Sequence, residues 1–132
     1  MNNPTNEKLN SLSGSVIDAA FAVHRELGPG LLESTYKACL AYEMKKRGMQ
    51  IALEVPIPVL YDGQLMIEVG YRMDILIEGC FIVEVKSQEG LLPVHKAQLL
   101  TYLKHANKRL GLLINFSSPL LKNGIVRLAN SL

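Results

Sequence analysis

Apolar positions along the chain recur with two different periods, and the changes of period divide it into helices and strands. Val16, Ala20, Val23 and Leu27 fall on one face of a helix predicted over Ser15–Leu27, with Ser15-x-x-Asp18 as its start signal. Gly28-Pro29-Gly30 stops it. A second helix is predicted from about Leu31 to Arg47, carrying Leu32, Tyr36, Cys39, Leu40 and Met44, and it ends at Gly48. Strand-like runs follow at 50–60 and 65–70, joined by Asp62-Gly63, a hairpin signal. Pro56 and Pro58 push the first of these to a sheet edge, because proline donates nothing to a ladder.

Two further runs, Tyr71–Ile77 and Cys80–Lys86, are dense in β-branched and aromatic residues, and Glu78-Gly79 between them suits a tight turn. Pro93–Asn107 reads as a helix with proline in its first turn, and strands are predicted at 109–116 and 125–129. The order α-α-β-β-β-β-α-β-β describes an α/β fold, a mixed central β-sheet flanked by helices. Residues 1–13 are polar and expected to be flexible, and residues 14–132 to form a single domain.

Four charges interrupt the apolar strands: Arg72 and Asp74 in the first motif strand, and Glu84 and Lys86 in the second. Side chains alternate across a strand, so Glu84 and Lys86 share a face, as do Arg72 and Asp74. A lone Glu-x-Lys is most often a solvated charged face, and an Arg72–Asp74 or Glu84–Lys86 ion pair is a structural alternative. Here Ile82, Val83 and Val85 mark a central strand, where a charge is expensive unless it is paired or binds a metal. If the two strands are neighbours, Asp74 and Glu84 converge on one cation. Two carboxylates completed by water and phosphate oxygens suit Mg²⁺. Such an ion activates water and stabilises charge developing on phosphorus, with Lys86 positioning the water or neutralising that charge. Gln98 and Tyr102 stand at i and i+4 of the following helix and can point to one spot.

Composition limits the alternatives. The chain has 132 residues, 48% hydrophobic and 20% charged, which is an ordinary globular balance. Its net charge of +2 permits nucleic-acid binding without arguing for it. Lys45-Lys46-Arg47 and the group Lys104, His105, Lys108 and Arg109 are candidate phosphate contacts, although cations are also favoured at helix C-termini by the macrodipole. No apolar run approaches the roughly 18 residues that cross a bilayer, and the N-terminus lacks a signal-peptide core. Cys39 and Cys80 form no C-x-x-C pair and read as reduced thiols, so a cytoplasmic location is expected. No Walker loop, Gly-rich dinucleotide turn or Ser/His/Asp arrangement supports another enzyme class.

The series Asp74, Glu84-x-Lys86 and Gln98-x-x-x-Tyr102 resembles the PD-(D/E)XK nuclease superfamily. Gly30-Leu-Leu-Glu33-Ser-Thr-Tyr36 resembles the signature of its small GxxExxY proteins, and Glu54-Val-Pro56, Gly70-Tyr-Arg-Met-Asp74 and Leu112-Leu-Ile-Asn115-Phe agree with it. The likeness covers residues 14 to 129. It implies a restriction-endonuclease-like core and a Mg²⁺- or Mn²⁺-dependent nuclease acting on nucleic acid, with DNA the expected substrate. It further implies that Glu33 joins Asp74 and Glu84 around the metal, with Tyr36 supporting Glu33. Gln98 would bond near the metal or Lys86, and Tyr102 would contact phosphate or hold its helix. Arg72, His95, Lys104 and Lys108 are candidate substrate contacts. The alternative is a catalytically silent module that keeps the fold to bind nucleic acid or protein, and a homodimer or another protein partner is compatible with either. Glu54 belongs to the pattern without an assigned role.

Overall fold

A computed structural model describes residues 4–130. Helix α1 spans Asn6–Leu27, α2 Glu33–Lys46 and α3 Pro93–His105. Strands β1 (Ile51–Tyr61), β2 (Gln64–Ile77), β3 (Phe81–Lys86), β4 (Leu110–Asn115) and β5 (Ile125–Ala129) form one sheet in chain order, β1-β2-β3-β4-β5. A short 3-10 turn, Leu121–Gly124, precedes β5. Every neighbouring pair is antiparallel except β3 and β4, which run parallel because α3 carries the chain back across the sheet. This is the mixed α/β sheet expected from the sequence.

Two boundaries differ from the sequence reading. Helix α1 starts at Asn6, with Thr5 Oγ1 accepting from the Lys8 N–H at 3.1 Å, so residues 6–13 add two turns to the predicted helix. Their polar character belongs to a solvent face, while Leu9 and Ser13 on the other face are buried. Residues 1–3 of the expected flexible segment lie outside the described residues. The predicted strands 65–70 and 71–77 are a single strand, which gives five strands among the described residues rather than six. Gly70 does not break the strand. A Cβ at Gly70 would lie 2.2 Å from Val59 Cγ2, so its small size serves packing against β1.

Both hairpin signals form turns as read. Asp62 and Gly63, with φ of 54° and 73°, form a two-residue turn between the paired Tyr61 and Gln64, whereas Glu78 and Gly79, with 52° and 67°, share theirs with Cys80, because Ile77 pairs with Phe81. β1 lies at the sheet edge, as Pro56 and Pro58 require. β3 and β4 are central, and from Phe81 to Val85 and Leu110 to Asn115 every residue is buried.

Apolar burial holds the helices on opposite sides of the sheet. Val16, Val23, Tyr36, Leu40 and Met44 of α1 and α2 pack on Ile75, Phe81, Val83 and Val85. Leu99, Tyr102 and Leu103 of α3 pack on Ile82, Leu113, Ile57 and Met73. The two clusters also show where β1 and β2 change sides. Ile51, Ile75 and Ile77 belong to the α1/α2 side, whereas Val55, Ile57 and Met73 belong to the α3 side. The change falls at Glu54 and Asp74, and Glu54 adopts φ 52°, a left-handed backbone unusual in a strand.

Candidate active site

Strand register brings three carboxylates into one row. Leu53 pairs with Ile75 and Val55 with Met73, so Glu54 stands opposite Asp74. Ile75 pairs with Val83, so Asp74 in turn stands opposite Glu84. Regular ladder pairing between β2 and β3 stops at Ile75. Beyond it, side chains take over the bonding. The Asp74 backbone N–H donates to Glu84 Oε2 at 2.7 Å, and the Val85 N–H donates to Asp74 Oδ2 at 2.8 Å. Each carboxylate is thus fixed by the main chain of the opposing strand.

Burial makes this row electrostatically unusual. Glu84 is 4% exposed and Asp74 9%. Burial first, and then the neighbouring Asp74 charge, push the Glu84 carboxyl up to about 8, against the relief offered by the Asp74 N–H, Lys86 and Lys37. Asp74 has a cation partner, but from a position not read in the sequence. Lys37 of α2 places Nζ 3.3 Å from Asp74 Oδ1 and also bonds Glu54 Oε1. Burial pulls the Lys37 ammonium down, but its hydrogen bonds and ion pairs with Glu54 and Asp74 outweigh that, and its pKa is raised. Among the described residues neither the Arg72–Asp74 nor the Glu84–Lys86 ion pair forms. Lys37 lies one helical turn after Glu33 on α2, a spacing that does not by itself say which strand residue it reaches.

The other predicted residues divide into near and distant ones. Lys86 ends β3, half-buried, and its charge acts on Glu84. Tyr102 is buried on α3 and stacks on Tyr71 with ring centres 4.6 Å apart. Burial and then the charges of Glu84 and Asp74 push its hydroxyl up to about 12, so it senses both carboxylates. Gln98, one turn earlier, is exposed. Glu33 is exposed in the first turn of α2. Among the described residues no three His, Cys, Asp or Glu side chains stand close enough together to hold a metal, so Glu33 does not join Asp74 and Glu84 here.

Tyr36 supports the loop before Glu33 rather than Glu33 itself. Its hydroxyl donates to Gly28 O at 2.5 Å and accepts from the Leu31 N–H at 3.1 Å, and its ring stacks on Phe116. His95 is engaged in capping α3, its Nδ1 accepting from the Leu92 N–H at 2.9 Å. Arg72 is exposed in β2 opposite Pro56. Lys104 is exposed in the last turn of α3, and Lys108 lies just beyond it. Two further residues were not read as site elements. Tyr71 bonds His105 through its hydroxyl and shields Tyr102. Asn115, register partner of Lys86, is buried and clamps the chain after β3, accepting from the Gln88 N–H at 3.1 Å and donating to Gln88 O at 2.9 Å.

The donor set fits a hard divalent cation. Two carboxylates face each other across neighbouring strands, and buried Glu84 holds its proton unusually tightly, as a carboxylate short of positive charge does. Two carboxylates completed by water and substrate oxygens are the usual protein share of a Mg²⁺ site. Two concavities, of about 520 Å³ beside Arg109 and Arg127 and about 320 Å³ beside Tyr42, lie away from this row. Among the described residues no helix is long and apolar enough to cross a membrane.

The fold and this strand-borne pair define a nuclease-type core. A family model of the PD-(D/E)XK nuclease superfamily matches residues 10–128, and the chain belongs to that superfamily, whose members generally use divalent metals. No curated protein and no solved structure matches the chain.

Proposed function

We propose that this protein is a Mg²⁺- or Mn²⁺-dependent nuclease that hydrolyses phosphodiester bonds in nucleic acid, with DNA as the substrate. Within the superfamily we assign it to the GxxExxY proteins on Gly30, Glu33 and Tyr36. The observation that carries the reading is the reciprocal locking of Asp74 and Glu84 in the sheet interior. A purely structural role gives no reason to bury two facing carboxylates, since each costs free energy unless it is compensated.

Asp74 and Glu84 would hold the cation, which when bound would polarise water and offset charge building on phosphorus. Lys86, at the end of β3 and without an ion-pair partner among the described residues, orients the attacking water or meets the phosphoryl oxygens. Tyr102 faces the same carboxylates from α3 and keeps its proton across the working pH range, so it serves as a hydrogen-bond donor toward phosphate. Gln98 and Glu33, both exposed, would engage a substrate that reaches the row. Arg72 and Lys104, both exposed, and the partly buried Lys108 supply cations for the backbone.

A second reading, a silent nuclease-fold platform for nucleic acid or protein, draws on one observation: Lys37 already neutralises Asp74. Incubation with linear and circular DNA and with RNA, in Mg²⁺ and then in Mn²⁺, separates the two. Cleavage abolished by chelation and by Glu84→Ala supports the enzyme. Cleavage that survives Glu84→Ala removes Glu84 from the site, and no cleavage of any substrate favours the platform.

A further inference from the structure

Lys37 occupies a position that the proposed metal site leaves no room to ignore. Its ammonium bridges Asp74, a carboxylate of the proposed cation pair, and Glu54, which stands outside that pair. Lysine has three donors and no acceptor, so it can hold both carboxylates at once or either one alone. Its side chain is 21% exposed, anchored on α2, whose Tyr36 and Leu40 are buried in the core. The ammonium therefore moves only as far as its own stem allows.

Glu54 is made for that contact at some expense. It sits directly opposite Asp74 with φ 52°, where β1 crosses from one side of the sheet to the other. Glycine or asparagine would supply the same backbone with less strain. A glutamate adds only a carboxylate, 48% exposed, which Lys37 bonds. A carboxylate more exposed than Asp74, in the same row and already bonded to the ammonium, is a second berth for it.

Resting on the metal reading above, we propose that Lys37 is a tethered placeholder cation on Asp74 and that Glu54 is the positioning residue that receives it when a divalent ion arrives. Without metal, the ammonium compensates Asp74 and keeps the carboxylate row from self-repulsion. With metal, two cations cannot share Asp74 without mutual repulsion. Lys37 then shifts wholly onto Glu54, whose strained backbone holds the carboxylate in reach. Metal affinity is set partly by the ease of this transfer.

The test is Mn²⁺ titration by calorimetry on the full chain, with thermal melting in chelator alongside. Lys37→Met is expected to bind Mn²⁺ at least tenfold more tightly than wild type and to melt lower without metal. Lys37→Arg, which keeps a cation, is expected to stay near wild type. Glu54→Gln, which strips the second berth of its charge, is expected to bind severalfold more weakly. The double variant Lys37→Met/Glu54→Gln should behave as Lys37→Met alone, because Glu54 acts through Lys37. Binding by wild type with equal or weaker affinity in a folded Lys37→Met overturns the placeholder role alone. A Glu54→Gln effect that persists undiminished in the double variant overturns the berth. No binding in wild type or any variant overturns the metal reading itself, and this inference with it.

Discussion

Asp74 and Glu84 hold each other through the main chain: the Asp74 N–H bonds Glu84, and the N–H after Glu84 bonds Asp74. The two carboxylates are therefore positioned by the β2–β3 backbone without a cation between them, which is how a preorganised site is built. Glu84→Gln keeps an acceptor for the Asp74 N–H and removes a carboxyl that folding holds protonated but that ionises in the unfolded chain. At neutral pH this variant is expected to melt higher than wild type in chelator, and to lose Mn²⁺ affinity by tenfold or more. A variant that melts lower would show that burial of Glu84 does not favour its protonated form.

Metal-free stability is expected to fall as pH rises. In the folded protein the Glu84 carboxyl stands at about 8 against an ordinary 4.5, so folding favours its protonated form. That contribution is complete below the ordinary value and is lost as pH climbs through about 8, by a few kcal/mol at most. Urea unfolding in chelator from pH 5 to 9 would record the decline, and Glu84→Gln should flatten it. A wild-type profile already flat over this window would contradict the burial account.

Lys86→Ala is expected to keep metal binding and to lose turnover by about a hundredfold or more, the scale on which one stabilising charge acts in phosphoryl chemistry. Its stability should change by less than about 1 kcal/mol, since Lys86 has no ion-pair partner among the described residues. Loss of metal instead of turnover would give Lys86 a structural role.

Tyr36→Phe keeps the stacking on Phe116 but removes the hydroxyl that ties Gly28 to Leu31. A cost of about 1–3 kcal/mol in urea unfolding is expected, with Mn²⁺ affinity unchanged. A large loss of metal affinity would tie the loop before Glu33 to the site.

The sequence carried the parts of this account that depend on local pattern. Asp62-Gly63 and Glu78-Gly79 demanded their turns, the prolines of β1 demanded an edge, and period-two alternation put Glu84 and Lys86 on one face. The register that sets Asp74 against Glu84 was not legible, because Cys80 joins Glu78-Gly79 in the turn and Ile77 pairs with Phe81. What stayed hidden depends on approach in three dimensions. Lys37 meets Asp74 because α2 packs on the sheet, and nothing in helix periodicity says which strand residue a given turn will reach. Glu54 was visible in the family pattern, but its left-handed backbone and its place in the carboxylate row follow from β1–β2 pairing around the side change. The polar start of α1 hid a helix because Leu9 and Ser13 alone mark its buried face there.

The most direct measurement is a calorimetric Mn²⁺ titration of wild type beside Asp74→Ala. Saturable binding at one site per chain, absent from a folded Asp74→Ala, is the expected result. Binding of equal strength in Asp74→Ala would contradict the account, because the cation would then lie somewhere other than the Asp74–Glu84 pair.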